Sequence, residues 1–297
     1  MPVARAARTR GKESASRRAM LLIGCDFSSS PGRHKPIVIA RGELHGANVR
    51  LKGLERLESL EAFGLWLAQP GTWVGGFDLP FGLPRELVQQ LGWPSTWEAC
   101  MRHYAALSRP HIRDLFADFC NARPAGAKFA HRATDRPAGS SPSMKWVNPP
   151  VAYMLHAGVP LMMAAGLHLP GLTAGDASDV DAQGHSRRVA LEAYPGLLAR
   201  EVLGAKSYKS DERSKQTPQR LEQRGHLLDA LEHGQTRLGL RLALNQAQRE
   251  LLRDDASGDS LDAVLCLVQA AWGWRQGWPW FGLPPTLDPL EGWIVCA

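Results

Sequence analysis

The sequence holds no apolar run that approaches the ~18 residues needed to span a bilayer. Its longest candidate, residues 151–172, is broken by His156, Pro160, Gly166, His168 and Pro170. Cysteine is scarce: Cys25, Cys100, Cys120, Cys266 and Cys296 are widely spread, odd in number and without a Cys-x-x-Cys pair. Such material suits neither a disulfide framework nor a zinc site, and buried packing is the expectation for each thiol. No secretory apolar segment is read near the N-terminus, so a reducing, cytoplasmic setting is expected. A Walker-type glycine loop, a Gly-x-Ser-x-Gly elbow and a His-Glu-x-x-His helix are also missing, so those three chemistries find no support. There is no internal repeat.

What is present is globular in composition, with 44% hydrophobic and 22% charged residues in 297, enough to bury a substantial core. The net charge of +6 is mostly local, since residues 1–19 carry six Lys/Arg against Glu13 alone. That stretch is expected to be a disordered basic tail, with an organellar transit peptide as the other possibility. The body from Met20 onward is close to neutral but uneven. Residues 85–145 carry an excess of four positive charges and residues 200–224 an excess of three, around an acid-rich remainder. Basic segments beside acids suit a metal site that meets an anionic substrate.

Apolar runs punctuated by turn residues predict strands at 21–25, 36–40 and 48–54, joined by short connections that favour an antiparallel meander. Helical spacing over 57–68 ends at Pro70-Gly71, and a fourth strand follows at 72–77. The intervening helix lets that strand lie parallel to the first. Residues 85–186 read as a long insertion: helices at 85–91, 94–107 and 151–165, with a loop or lid over 123–150. A fifth strand is expected at 188–194, then helices at 196–203, 218–233, 246–254 and 260–276. A short edge strand is expected at 292–296. Trp272, Trp274, Trp278 and Trp280 are expected to pack as core or as a hydrophobic latch rather than to stack on bases.

The acids fall at particular places. Asp26 ends the first strand, Asp78 the fourth, and Glu192 lies in the fifth within Val-Ala-Leu-Glu-Ala-Tyr. Asp259 and Asp262 open the last long helix, one turn apart on one face. Parallel neighbouring strands would set Asp26 beside Asp78 at the carboxyl edge of the sheet, where open α/β sheets place their sites. Each acid alone also fits a turn, an N-cap or a first-turn position; the joint pattern points to metal. Converging carboxylates repel unless a cation lies among them, and hard oxygen donors select Mg²⁺ or Mn²⁺. Two such ions ~4 Å apart activate a water and stabilise the leaving oxygen of a phosphodiester.

The strand ending Gly-Cys-Asp26-Phe, the segment Phe-Asp78-Leu-Pro-Phe-Gly-Leu-Pro, the segment Leu-Glu192-Ala-Tyr-Pro and the helix start Asp259-Ser-Leu-Asp262-Ala together resemble the DUF429 family. Its members are described as predicted nucleases of the RNase H-like fold. The resemblance, from about Leu21 onward, implies a mixed five-stranded RNase H-like sheet flanked by helices, with the insertion of about 85–186 between strands four and five. It also implies a two-metal phosphodiesterase site, in which Asp26, Asp78, Glu192 and Asp262 are catalytic ligands and Asp259 a further metal ligand. The Asp259-x-x-Asp262 spacing is similar to that of Holliday-junction resolvases of the same fold.

Within the insertion, Arg132 and Arg136 are candidates for holding a phosphate, and His131 for a general acid. Lys209, with Tyr208 and Arg213 beside it, is a further phosphate candidate. The leading expectation is therefore a metal-dependent nuclease acting on DNA or RNA. Two others compete: a nucleic-acid-binding module without turnover, and an ATP-dependent phosphotransferase of the actin-like or sugar-kinase type.

Overall fold

A computed structural model describes residues 20–297; the basic tail expected at 1–19 lies outside the described residues. Strands β1 (Leu21–Asp26), β2 (Ile37–His45) and β3 (Asn48–Leu57) form the antiparallel meander. Helix α1 (Leu60–Leu67) starts where the Ser59 side chain accepts from the Ala62 backbone N–H, satisfying a donor that the first turn leaves free. It leads to β4 (Trp73–Asp78), which runs parallel to β1 with Asp26 directly opposite Asp78.

The insertion then contributes α2 (Arg85–Gln90), α3 (Trp97–Ala105), α4 (Arg109–Asn121), the single turn α5 (Asp135–Ala138) and α6 (Val151–Ala164). Helix α4 was not expected from the sequence. The chain re-enters the sheet as β5 (Arg188–Glu192), parallel to β4, and continues through α7 (Pro195–Leu203), α8 (Pro218–Glu232), β6 (Arg241–Ala243), α9 (Gln246–Asp254) and α10 (Asp259–Gln276).

The sheet order is β5-β4-β1-β2-β3-β6, so it has six strands rather than five. The additional strand is three residues long and pairs parallel with the start of β3. The edge strand expected at 292–296 reduces to one bridge between Glu192 and Ile294.

Side chains alternate across the sheet and separate its two cores. Leu22, Val74, Val189 and Leu191 face α7 to α10, whereas Ile23, Cys25, Phe77 and Ala190 face α1 and the insertion helices. Helix α10 lies directly on β1 and β4. A Cβ at Gly24 would stand 2.0 Å from the Ala263 carbonyl oxygen, and one at Gly76 2.5 Å from that of Cys266. These glycines let the helix backbone approach the strands, which brings its first turn to the carboxyl ends of β1 and β4. All five cysteines are free and buried. No helix among the described residues is long and apolar enough to cross a membrane.

Candidate metal centre and cleft

Alternation along the strands decides which acids meet. Asp26 continues the face of Leu22 and Gly24, and Asp78 that of Val74 and Gly76, so both point to the side covered by α10. Asp262 arrives from the first turn of α10, where the helix dipole favours an acid. One carboxylate oxygen from each of Asp26, Asp78 and Asp262 lies within 4.8 Å of the others. Asp26 and Asp262 are buried and Asp78 is half-buried.

These carboxylates differ in what they touch. Both oxygens of Asp262 are taken, by the Tyr208 hydroxyl and by the Lys209 ammonium. Among the described residues, no protein donor reaches the carboxylate of Asp26 or Asp78, although Asp26 is only 7% exposed. Burial pushes the Asp26 carboxyl well above the usual range, and Asp262, Asp259 and Asp78 push it further against the pull of Lys209. Burial and the Asp262 charge lift Asp78 to about 7, again with Lys209 opposing. Asp262 is raised by burial in spite of its two donors. Burial alone would lower the Lys209 ammonium, but Asp262, Tyr208 and Asp26 hold it well above its ordinary value.

Asp259 is buried but stands outside this trio, bonded to Lys35 Nζ at 2.6 Å; Lys35 also reaches the exposed Asp211 at 2.9 Å. Glu192 stands outside it as well. Its position in β5 falls on the opposite parity to Leu191, so its side chain leaves towards the insertion. There Arg132 Nη1 donates to Glu192 Oε2 at 2.8 Å and Nη2 to Oε1 at 2.6 Å, and the Phe81 N–H adds a third bond at 2.9 Å. Burial still lifts the Glu192 carboxyl, with Arg132 opposing. Arg132 is 2% exposed and also binds Asp135, so its guanidinium is committed to two buried carboxylates rather than free for phosphate. Arg136 is exposed and lies away from the cleft lining, and His131 is exposed. Of Trp272, Trp274, Trp278 and Trp280, the first packs on the core, while the other three are 36–40% exposed.

A cleft of about 440 Å³ opens over the acids. Asp26, Asp78, Lys35 and Lys209 line its polar side; Phe27, Leu79, Pro149, Pro150, Val151 and Met154 line an apolar wall. That wall is largely the insertion, whose helix α4 also fixes the turn after β1. Arg109 Nη2 donates to the Ser29 carbonyl at 2.6 Å and Nη1 to Ser30 Oγ at 3.0 Å. Lys35 was missed in the sequence because it sits in a turn without periodicity. The apolar wall was missed because Pro149 and Pro150 read as loop punctuation.

Three hard oxygen donors close together, two of them without a protein donor, fit a divalent cation. The carboxyl groups of Asp26, Asp78, Asp259 and Asp262 outnumber the ammonium groups beside them, Lys209 on Asp262 and Lys35 shared between Asp259 and Asp211.

The molecule is thus a mixed α/β protein with a six-stranded sheet and a triad of acids converging at the carboxyl ends of two parallel strands. A family model described as "Protein of unknown function (DUF429)" matches residues 24–279, and the chain belongs to that family. No curated protein and no solved structure matches the chain.

Proposed function

We propose that the protein is a metal-dependent phosphodiesterase, a nuclease of the RNase H-like class, with Asp26, Asp78 and Asp262 holding Mg²⁺ or Mn²⁺. The observation that carries this reading is the pair Asp26 and Asp78, set side by side in register on β1 and β4 with no protein donor and joined by Asp262 at the floor of a cleft. The mixed β1–β5 core, with acids at the ends of its first and fourth strands and at the start of the last long helix, supports the RNase H-like assignment.

When bound, the cation supplies Lewis-acid polarisation and an activated water. The chain's own residues do the rest. Lys35 and Lys209 bring positive charge to the cleft wall where an anionic substrate approaches. The Phe27, Pro150 and Met154 wall offers an apolar surface to the base of a nucleotide. Arg132 holds Glu192 and Asp135 and so fixes the insertion against β5; its role is positioning. Nucleic acid is the proposed partner.

The test is calorimetric titration of Mn²⁺ into the protein and into Asp26→Ala at neutral pH, followed by a screen on single-stranded, duplex and branched substrates. Sub-millimolar binding lost in the variant, together with metal-dependent cleavage, is the expected result. Absence of binding by folded wild type, with or without oligonucleotide, would overturn the metal mechanism. Metal binding without cleavage of any substrate would favour the binding module.

A further inference from the structure

The segment 208–210 is fastened at several points. Arg224 Nη1 donates to the Tyr208 carbonyl at 2.7 Å, and the Ser210 N–H donates to the Ala256 carbonyl at 3.1 Å. Gly258, with φ +77°, leaves room for the stem of Lys209: a Cβ there would lie 2.7 Å from Lys209 Cβ. The backbone and stem are held, while the side chain is 39% exposed and lines the cleft. Its ammonium sits on Asp262, the one member of the acid trio whose oxygens are both occupied. A three-carboxylate cation site and this ion pair cannot both have Asp262 to themselves. Lys35 differs, because its buried partner Asp259 lies outside the trio.

We propose that Lys209 is the resident counter-ion of the acid centre. It neutralises Asp262 while no metal is bound and yields that carboxylate when a divalent cation binds. Its ammonium then turns into the cleft to pair with the phosphate of the substrate. This rests on the metal-dependent reading above. In this scheme the centre is never left with all its negative charge uncompensated, and a phosphate-binding cation is released only once the metal is in place.

The test compares Mn²⁺ titrations of wild type, Lys209→Met, Lys209→Gln and Lys209→Arg, with Asp26→Ala as the control. Removing a competing unit charge a few ångströms from the site should tighten Mn²⁺ binding by about tenfold or more in the Met variant. Lys209→Gln keeps a donor for Asp262 without the charge, so it should show the same gain if the Met variant fails to fold. Lys209→Arg should bind as wild type does. A merely structural role for Lys209 would weaken metal binding or leave it unchanged, and either result in a folded charge-free variant overturns the proposal. If no variant and no wild-type sample binds Mn²⁺, the metal reading falls with it; if only wild type binds, the metal reading survives and this one does not.

The second measurement is the affinity of Mn²⁺-loaded protein for a single-stranded phosphorothioate oligonucleotide. It should fall in Lys209→Met while metal affinity rises, with the salt dependence reduced by about one released counterion. Unchanged oligonucleotide affinity overturns the phosphate half of the proposal.

Discussion

At Asp26 a carboxyl group is buried beside two others with no donor to meet it, and its ionisation in the metal-free protein carries a cost that Asp26→Asn removes. That variant should melt at a higher temperature than wild type in chelator and lose Mn²⁺ binding; a lower melting temperature would mean that Asp26 is satisfied in some other way. Asp78 gives the pH dependence. Its carboxyl is pushed up to about 7, while in the unfolded chain it titrates near ~4. Between those values the native state keeps a proton that the unfolded state has released, so stability falls as pH rises. Urea unfolding in chelator should therefore show less stability at pH 8 than at pH 5, with Mn²⁺ restoring more at pH 8, where protons no longer compete. Arg132 behaves in the opposite way: Arg132→Met leaves Glu192 and Asp135 buried without their partner, and about 3–5 kcal/mol of stability should be lost, measured by the same method. Asp26, Asp78 and Asp262 were legible in the sequence because each ends or opens a clear element. The separation of Glu192 was not, because Val-Ala-Leu-Glu is buried on both faces and shows no alternation to reveal its parity.

Among the elements, α10 does most to assemble the centre, since its first turn delivers Asp262 and its next two turns lie on the glycines of β1 and β4. Gly24→Ala would drive a methyl into the Ala263 and Leu267 backbone, so the helix must lift and Asp262 must leave Asp26. The expected outcome is a large fall in melting temperature and weakened Mn²⁺ binding, checked by calorimetry; a variant with unchanged affinity would show that the trio does not depend on this approach. Thirteen of the described strands and helices were expected in kind and approximate place, the apolar helix α10 among them. Helix α4 had its signals, with Ser108 capping, Pro110 in the first turn and Ile112, Phe116 and Phe119 buried on one face. They lay behind a start whose Arg109, His111, Arg113 and Asp114 make it read as solvated. Strand β6 had no such signal: three residues between a helix and an Asn245 cap are fixed by pairing with β3, a contact across nearly two hundred residues.

For the molecule as a whole, the insertion turns an open sheet edge into a bounded cleft. About 440 Å³ is the size that takes one small ligand, and a double helix cannot enter it. Single strands, ends or short phosphodiesters should therefore be cut in preference to intact duplex, by tenfold or more in initial rate; equal rates would place the reacting phosphate outside the cleft. The three carboxylates of the trio come from positions 26, 78 and 262. In the order of synthesis Asp78 precedes Asp262 by 184 residues. A nascent chain cannot complete the trio until α10 has left the ribosome, so whatever binds there binds only after Asp262 has been made and has folded onto β1 and β4.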